Sequence, residues 1–114
     1  KNKSLDYGNN LNNFNKSNYA DGFGAEIFSF SVLKKIKNKL NAYHREHVTS
    51  YIRENDSNFK ILKLKAPKYL NEPSLKFDID TFSDLKKFQN LINISKIHIY
   101  SPSKSIIKEF KKIK

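Results

Sequence analysis

Two aspartates in the stretch "LKFDIDTFSDL", Asp78 and Asp80, have the types and spacing that most clearly suggest chemistry. In an extended strand they point to the same face, with their Cβ atoms about 6–7 Å apart. That spacing suits two oxygen ligands of one hard cation such as Mg²⁺, at the strand end where α/β proteins bind ligands. The alternative is a solvated strand end, in which Asp78 lies beside Lys76 and Asp80 opens a turn.

A second polar cluster comprises three consecutive residues, Arg45, Glu46 and His47, in "AYHREHVTSYI". His44 and His47 have a spacing that could ligate zinc, but zinc needs a further ligand, and His98 is the only other histidine. Two interpretations therefore stay open. Either these residues form surface ion pairs around a half-buried histidine, or Arg45 and His47 face a cleft and bind an anionic or hydroxyl-rich substrate.

The segment "YADGFGAEIF" contains Gly22 and Gly24, two of the three glycines of the chain. One interpretation is a turn before a strand, in which the glycines adopt positive φ. The other is a loop that contacts a ligand through Asp21 and Glu26. It is not a phosphate-binding loop, because neither G-x-G-x-x-G nor G-x-x-x-x-G-K-[ST] occurs in the sequence.

These residues need secondary structure to position them, and the hydrophobic pattern predicts strands alternating with helices. The asparagine-rich residues 1–20 are predicted to be loop. Strands are predicted over 25–30, 59–66 and 75–80, and helices over 31–40, 45–54, from Thr81 onwards, and around Ile106–Ile113. Such alternation predicts an α/β fold, and three short strands make so thin a sheet that we expect it to continue into strands outside this chain.

The helix after Asp80 has the clearest sequence signals. Thr81 is a natural N-cap, and Asp84 lies three residues later, where a capping-box acid belongs. Its predicted apolar stripe comprises Leu85, Phe88, Leu91 and Ile92.

Composition limits the class of protein. The 114 residues suffice for one modest core, and the absence of cysteine excludes disulfides and thiolate metal sites. The formal net charge of +11 allows a basic module that binds nucleic acid or an anionic surface. However, Arg45 and Arg53 are the only arginines and the lysines are spread along the chain, which disfavours nucleic acid. No apolar run is long enough for a membrane span and no secretory signal is visible, so we expect a cytoplasmic protein.

Three segments in order, "YADGFGAEIF", "REHVTSYI" and "IDTFSDL", resemble motifs of cytidylyltransferases. The nearest group is the spore-coat-polysaccharide type, related to the acylneuraminate and deoxy-octulosonate cytidylyltransferases that make CMP-sugars. That group typically shows Y-P-D-G-x-D-x-E-x-F, R-E-H-V-T-x-Y-I and V-D-T-x-x-D-L. The resemblance covers roughly residues 5–92.

The resemblance implies a nucleotide-diphospho-sugar transferase fold, a Rossmann-like α/β sandwich. It implies transfer of CMP from CTP to an acidic or related sugar for surface polysaccharide or glycan precursors, with release of pyrophosphate. Mg²⁺ is the implied cofactor, held at the "DIDT" turn by Asp78 and Asp80. The loop with Asp21 and Glu26, and the segment Arg45–His47, would line the sugar side of the cleft.

The sequence also departs from the family pattern. Ala20 replaces a proline, Gly24 replaces a second aspartate, and His44 replaces an acidic or polar residue. The family's N-terminal half, which binds the nucleotide, has no counterpart here. We therefore expect residues 1–92 to be the C-terminal half of a cytidylyltransferase domain and 93–114 an extension.

This division has consequences for activity and partners. We expect the fragment alone to be inactive and to need its missing N-terminal half. Family members often form homodimers, for which the final helix is a candidate contact. An inactive remnant of the same fold is a further alternative.

Overall fold

The computed structural model describes residues 4–113. Contacts along the chain divide these residues into two compact units. Unit 1 comprises residues 4–17 and 24–65, and unit 2 comprises residues 18–23 and 66–113. The chain therefore passes from unit 1 into unit 2 and back before residue 24. The boundary predicted at residue 92 marks where the family resemblance ends, and it stays a prediction.

Unit 1 contains a three-stranded sheet in the order β2-β1-β3. The strands are β1 (Tyr7–Asn9), β2 (Glu26–Phe28) and β3 (Ile61–Lys63). Tyr7 is paired with Phe28 in the antiparallel neighbour and with Ile61 in the parallel one. These three side chains therefore lie on one face, and that face packs on the core of the unit.

Unit 1 also contains four short α-helices. They are α1 (Asn12–Asn15), α2 (Phe30–Ile36), α3 (Ala42–Glu46) and α4 (Ser50–Glu54). Helix α2 begins where the Ser29 hydroxyl accepts a hydrogen bond from the Val32 amide, which satisfies one of its unpaired N–H groups. The fully buried core consists of Tyr7, Val32, Ile36 and Ile52.

The structure corrects two predictions in this unit. Residues 1–20 were predicted to be loop, yet Tyr7–Asn9 is the central strand and is buried throughout. The sequence did not predict this strand, because the asparagines around it have a low propensity for strands. The single helix predicted over 45–54 is two helices, since the backbone leaves the helical region at His47.

Unit 2 is built on two helices, α5 (Phe82–Ile94) and α6 (Ser103–Phe110). Its buried core contains Ala20, Leu75, Leu91, Ile107 and Phe110. The Phe23 and Phe77 rings stack with centroids 4.6 Å apart, and Phe77 lies equally close to Phe110. Phe110 thus belongs to the core of its own unit. The homodimer contact expected for the final helix stays a prediction.

The segment 75–80 is not the strand that its alternation predicts. Its one ladder contact is an isolated parallel bridge between Lys76 and Asp21. On α5, Leu91 is buried as predicted, whereas Leu85 and Ile92 remain exposed. Across residues 4–113, we find no helix long and apolar enough to cross a bilayer.

Removal of the Thr81 cap should weaken α5. The Thr81 hydroxyl accepts from the Asp84 amide, and the Asp84 carboxylate accepts from the Thr81 amide, so both orphan donors are satisfied. Thr81→Ala is expected to lower the unfolding free energy by about 1 kcal/mol in urea titrations. Thr81→Ser keeps the hydroxyl and should retain most of that stability; an equal loss in both variants would contradict the capping role.

Candidate functional site

A pair of carboxylates, Asp21 and Asp78, forms the most unusual charged feature of unit 2. The Asp21 amide donates to the Leu75 carbonyl at 2.9 Å, and the Phe77 amide donates to the Asp21 carbonyl at 2.9 Å. This bridge places Asp21 beside the residue after Phe77, which is Asp78. Partial burial, together with the Asp21 carboxylate, raises the pKa of Asp78 above its usual range. The two carboxyl groups therefore lie close enough for each charge to disfavour ionisation of the other.

Gly22 permits this close approach. Its φ is +85°, and a Cβ at this position would lie 2.9 Å from the Phe77 carbonyl carbon and 3.0 Å from an Asp78 carboxylate oxygen. Any side chain would therefore clash with the backbone of the segment that carries Asp78 and strain its own. The interpretation of Gly22 as a turn residue with positive φ is confirmed, whereas Gly24 has no positive φ.

Asp80 has a different partner. Its carboxylate lies 2.5 Å from the Lys76 ammonium group, four residues earlier, and this contact raises the pKa of Lys76. Both side chains are at least half exposed. Exposed pairs of this kind contribute little to stability, so Lys76 can release Asp80 at small cost.

The donor chemistry fits a hard cation, although the pair that the structure brings together is Asp21–Asp78. Mg²⁺ typically uses one or two carboxylates and takes its other ligands from water and substrate phosphates. Within the described residues, no group of three or more acidic, histidine or cysteine side chains is placed to hold a metal. The role of Asp78 and Asp80 as ligands stays a prediction.

Glu26 organises the polar side of unit 1. Its Oε1 accepts hydrogen bonds from the Tyr7 hydroxyl and from Thr49 Oγ1 at 2.6 Å, and it pairs with Arg53 Nη1 at 3.3 Å. Burial, together with the adjacent Glu26 carboxylate, raises the pKa of Tyr7, so the phenol stays protonated and donates. One carboxylate thus joins β1, β2 and α4.

A cavity of about 420 Å³ opens next to Glu26. Its wall contains four consecutive residues of the "REHVTSYI" segment, Glu46–Thr49, and also Arg53. Arg45 is exposed on α3 and does not line the cavity. The structure therefore brings Glu26, Glu46 and His47 to one cavity, which offers donors and acceptors to a polar ligand.

His44 has a structural role that its sequence position does not reveal. Its Nδ1 accepts from the Asn41 amide at 3.3 Å, which leaves the proton on Nε2 to be donated to Glu54 at 2.8 Å. The ring is buried and meets Tyr51 edge-on. His44 therefore caps α3 and ties it to α4.

Two comparisons with known proteins bear on this arrangement, and no family model matches the sequence. The structure resembles that of a cytidylyltransferase from Leptospira borgpetersenii serovar Hardjo-bovis (strain JB197), with a TM-score of 0.76 and 26% sequence identity. This similarity covers 98% of the chain and 45% of the solved chain. The predicted likeness to a cytidylyltransferase is confirmed at this level, and so is a mixed α/β fold consistent with a nucleotidyltransferase.

One protein is similar to this chain in sequence. The chain is 39% identical over 84 residues to an uncharacterized protein of Methanocaldococcus jannaschii, covering 73% of this chain and 35% of that protein. The chain thus spans less than half the length of either protein. The narrower assignment to the spore-coat and CMP-sugar group stays a prediction.

Sequence analysis did not single out Thr49 and Arg53, although both lie close to Glu26. Thr49 is part of the quoted "REHVTSYI" motif, and Arg53 is one of only two arginines, so each carried a signal. What the sequence did not show is the acceptor they share, because Glu26 lies more than twenty residues earlier in the chain.

Glu26→Ala should destabilise unit 1 by about 2 kcal/mol, because the Tyr7 and Thr49 hydroxyls lose their shared acceptor. Glu109→Ala is a matched control, since the Glu109 side chain is 27% exposed against 29% for Glu26. Glu109 forms a surface pair with Lys112, so its loss is expected to cost under about 0.5 kcal/mol. Equal losses in urea denaturation would show that Glu26 does not organise the unit.

Proposed function

We propose that this chain is the sugar- and metal-side part of a cytidylyltransferase that transfers CMP from CTP to an acidic or related sugar and releases pyrophosphate. The observation that carries the proposal is the structural similarity to a cytidylyltransferase over 98% of the chain. Two further observations support it: the Asp21–Asp78 pair beside Asp80, and the polar cavity at Glu26, Glu46 and His47. The chain alone is expected to be inactive, with a surface polysaccharide or glycan precursor as the product of the whole enzyme.

In this proposal Asp78 and Asp80 hold Mg²⁺, with Asp21 as a further acidic neighbour. When bound, the cation neutralises phosphate charge and activates the attacking sugar hydroxyl. Residues of the protein position these carboxylates. Gly22 allows Asp21 to approach Asp78, and Lys76 holds Asp80 until a cation replaces it. The negative charge of these neighbouring carboxylates favours the binding of a divalent cation.

The cavity in unit 1 is proposed to contact the sugar. Glu26 Oε1 is held by Tyr7, Thr49 and Arg53, so the other carboxylate oxygen keeps a fixed position from which to accept a hydrogen bond from a sugar hydroxyl. Glu46 and His47 supply the remaining polar contacts, and Arg45 contributes positive charge from the exposed face of α3. Fixed acceptors and donors of this kind recognise a hydroxyl-rich or carboxylated ligand.

Cation binding to the carboxylate pair can be measured without turnover. For the 114-residue chain, Mg²⁺ should raise the melting temperature, since a ligand of the folded state stabilises it. Asp78→Asn should melt at a higher temperature than wild type without Mg²⁺, because the repulsion by Asp21 is gone, and should lose the Mg²⁺ response. Asp56→Asn, a change to an exposed aspartate paired with Lys63, should keep that response. A Mg²⁺ shift that survives Asp78→Asn would remove Asp78 from the site.

Turnover tests the role of Asp80 in the whole enzyme. Asp80→Ala should lower Mg²⁺-dependent pyrophosphate release from CTP and sugar by about a hundredfold, because the metal contributes several kcal/mol to transition-state stabilisation. Lys76→Ala, which removes only the competing ammonium group, should leave the rate near wild type. Normal turnover by Asp80→Ala would overturn the assignment of Asp80 as a metal ligand.

A further inference from the structure

The loop that joins α5 to α6 carries two apolar side chains at its tip. Ile99 is 89% exposed and Tyr100 82%, the largest fractions among the exposed large apolar side chains of the described residues. The loop is held by bonds within itself: the His98 amide donates to Ser101 Oγ at 2.9 Å, and the Ser101 amide donates to the His98 carbonyl at 2.8 Å. The Tyr100 amide donates to His98 Nδ1 at 3.2 Å. The geometry of the loop itself therefore presents Ile99 and Tyr100, which we call the loop tip.

The sequence around the loop tip is strongly basic. Residues 93–114 contain six lysines and a single acid, Glu109. Lys112 pairs with Glu109, and Lys111 pairs with Glu72. Among the described residues, no carboxylate forms an ion pair with the three other lysines described in this segment. We call these three the free lysines: Lys96, Lys104 and Lys108.

The free lysines lie close to the loop tip. Lys96 lines the same cavity of about 550 Å³ as His98, the neighbour of the tip, and as Ser105 of α6. Lys104 lies in the first turn of α6, directly after the loop, and Lys108 lies one turn later. A small apolar tip is thus bordered by positive charge that no described carboxylate neutralises.

We infer that the loop tip and the free lysines dock unit 2 onto the surface of an anionic lipid bilayer. Each lysine near an anionic membrane surface strengthens binding about fivefold, and tyrosine favours the boundary between headgroups and acyl chains. Lysines alone would attract any anion, whereas an exposed apolar tip with a basic border matches the two layers of a bilayer surface. The inference does not depend on the proposed function.

A nucleic acid fits this surface less well than a bilayer does. Phosphate and base recognition favour the planar guanidinium group, and both arginines of the chain, Arg45 and Arg53, lie in unit 1. An aliphatic side chain such as Ile99 also contributes little to a contact with phosphates, but it gains free energy when acyl chains remove it from water. We therefore take the bilayer as the occupant and nucleic acid as an outcome of the test.

The test measures co-sedimentation of the purified 114-residue chain with phosphatidylglycerol–phosphatidylcholine vesicles and with phosphatidylcholine vesicles alone. The chain should bind the anionic vesicles far more tightly, and added salt should weaken that binding. Ile99→Asn removes the apolar contact without changing the charge, so it should weaken binding about tenfold. The matched control is Ile27→Asn in unit 1, where Ile27 is 75% exposed, and its binding should be unchanged.

A second pair of variants tests the lysines. Lys104→Gln combined with Lys108→Gln should weaken binding to anionic vesicles about twentyfold, since each change removes one charge from the membrane surface. Lys34→Gln combined with Lys35→Gln removes the same charge from α2 in unit 1. This control should bind nearly as wild type does.

Three results would overturn the inference. Absence of binding to anionic vesicles, or equal losses in the control variants, would show that this surface does not dock a bilayer. Losses in the lysine variant without a loss in Ile99→Asn would reduce the surface to a general attraction for anions. A tighter complex with single-stranded RNA that depends on the lysines alone would make nucleic acid the occupant. Because none of these measurements uses turnover, the proposed function is tested separately.

Discussion

The carboxylate of Glu26 is the interaction on which unit 1 depends most. Three donors converge on one oxygen: the Tyr7 hydroxyl from β1, the hydroxyl of Thr49 just before α4, and the Arg53 guanidinium from α4. Tyr7 is 1% exposed, so its hydroxyl would have no solvent to replace a lost acceptor. The same carboxylate lines the polar cavity. The hydrogen bonds that join β1, β2 and α4 therefore also fix the position of Glu26 at the cavity wall.

Unit 2 has an equivalent constraint in its backbone. The bridge between Asp21 and the segment around Lys76 requires that nothing fill the space above Gly22. The stacked rings of Phe23 and Phe77 then hold both segments against the core. Packing on either side of the carboxylates thus supplies the free energy that offsets their repulsion, which is how strained charge arrangements persist in folded proteins.

Local signals in the sequence located α2, α5 and α6 and the strands β2 and β3, but they missed α1, the break at His47 and the central strand. Helix α5 begins at Thr81 as predicted, because a capping box is encoded within four residues. Strand β1 was missed, since Tyr7–Asn9 owes its burial to partners about twenty and fifty residues away. Residues 75–80 alternate as a strand does, but no ladder forms beyond one bridge, and alternation alone cannot supply a pairing partner.

The same distinction applies to the candidate site. The spacing of Asp78 and Asp80 was readable as two ligands on one face, yet their neighbours differ: Asp80 contacts Lys76, and Asp78 contacts Asp21. A lysine four residues before Asp80 was visible in the sequence, whereas the approach of Asp21 depends on a bridge across more than fifty residues. With a net charge of +11, this chain has lysines enough to neutralise its acids, and one of them does so at Asp80. The more buried acid, Asp78, instead lies against another carboxylate, that of Asp21, and the charge of Lys76 only partly offsets the rise in its pKa that burial and Asp21 cause.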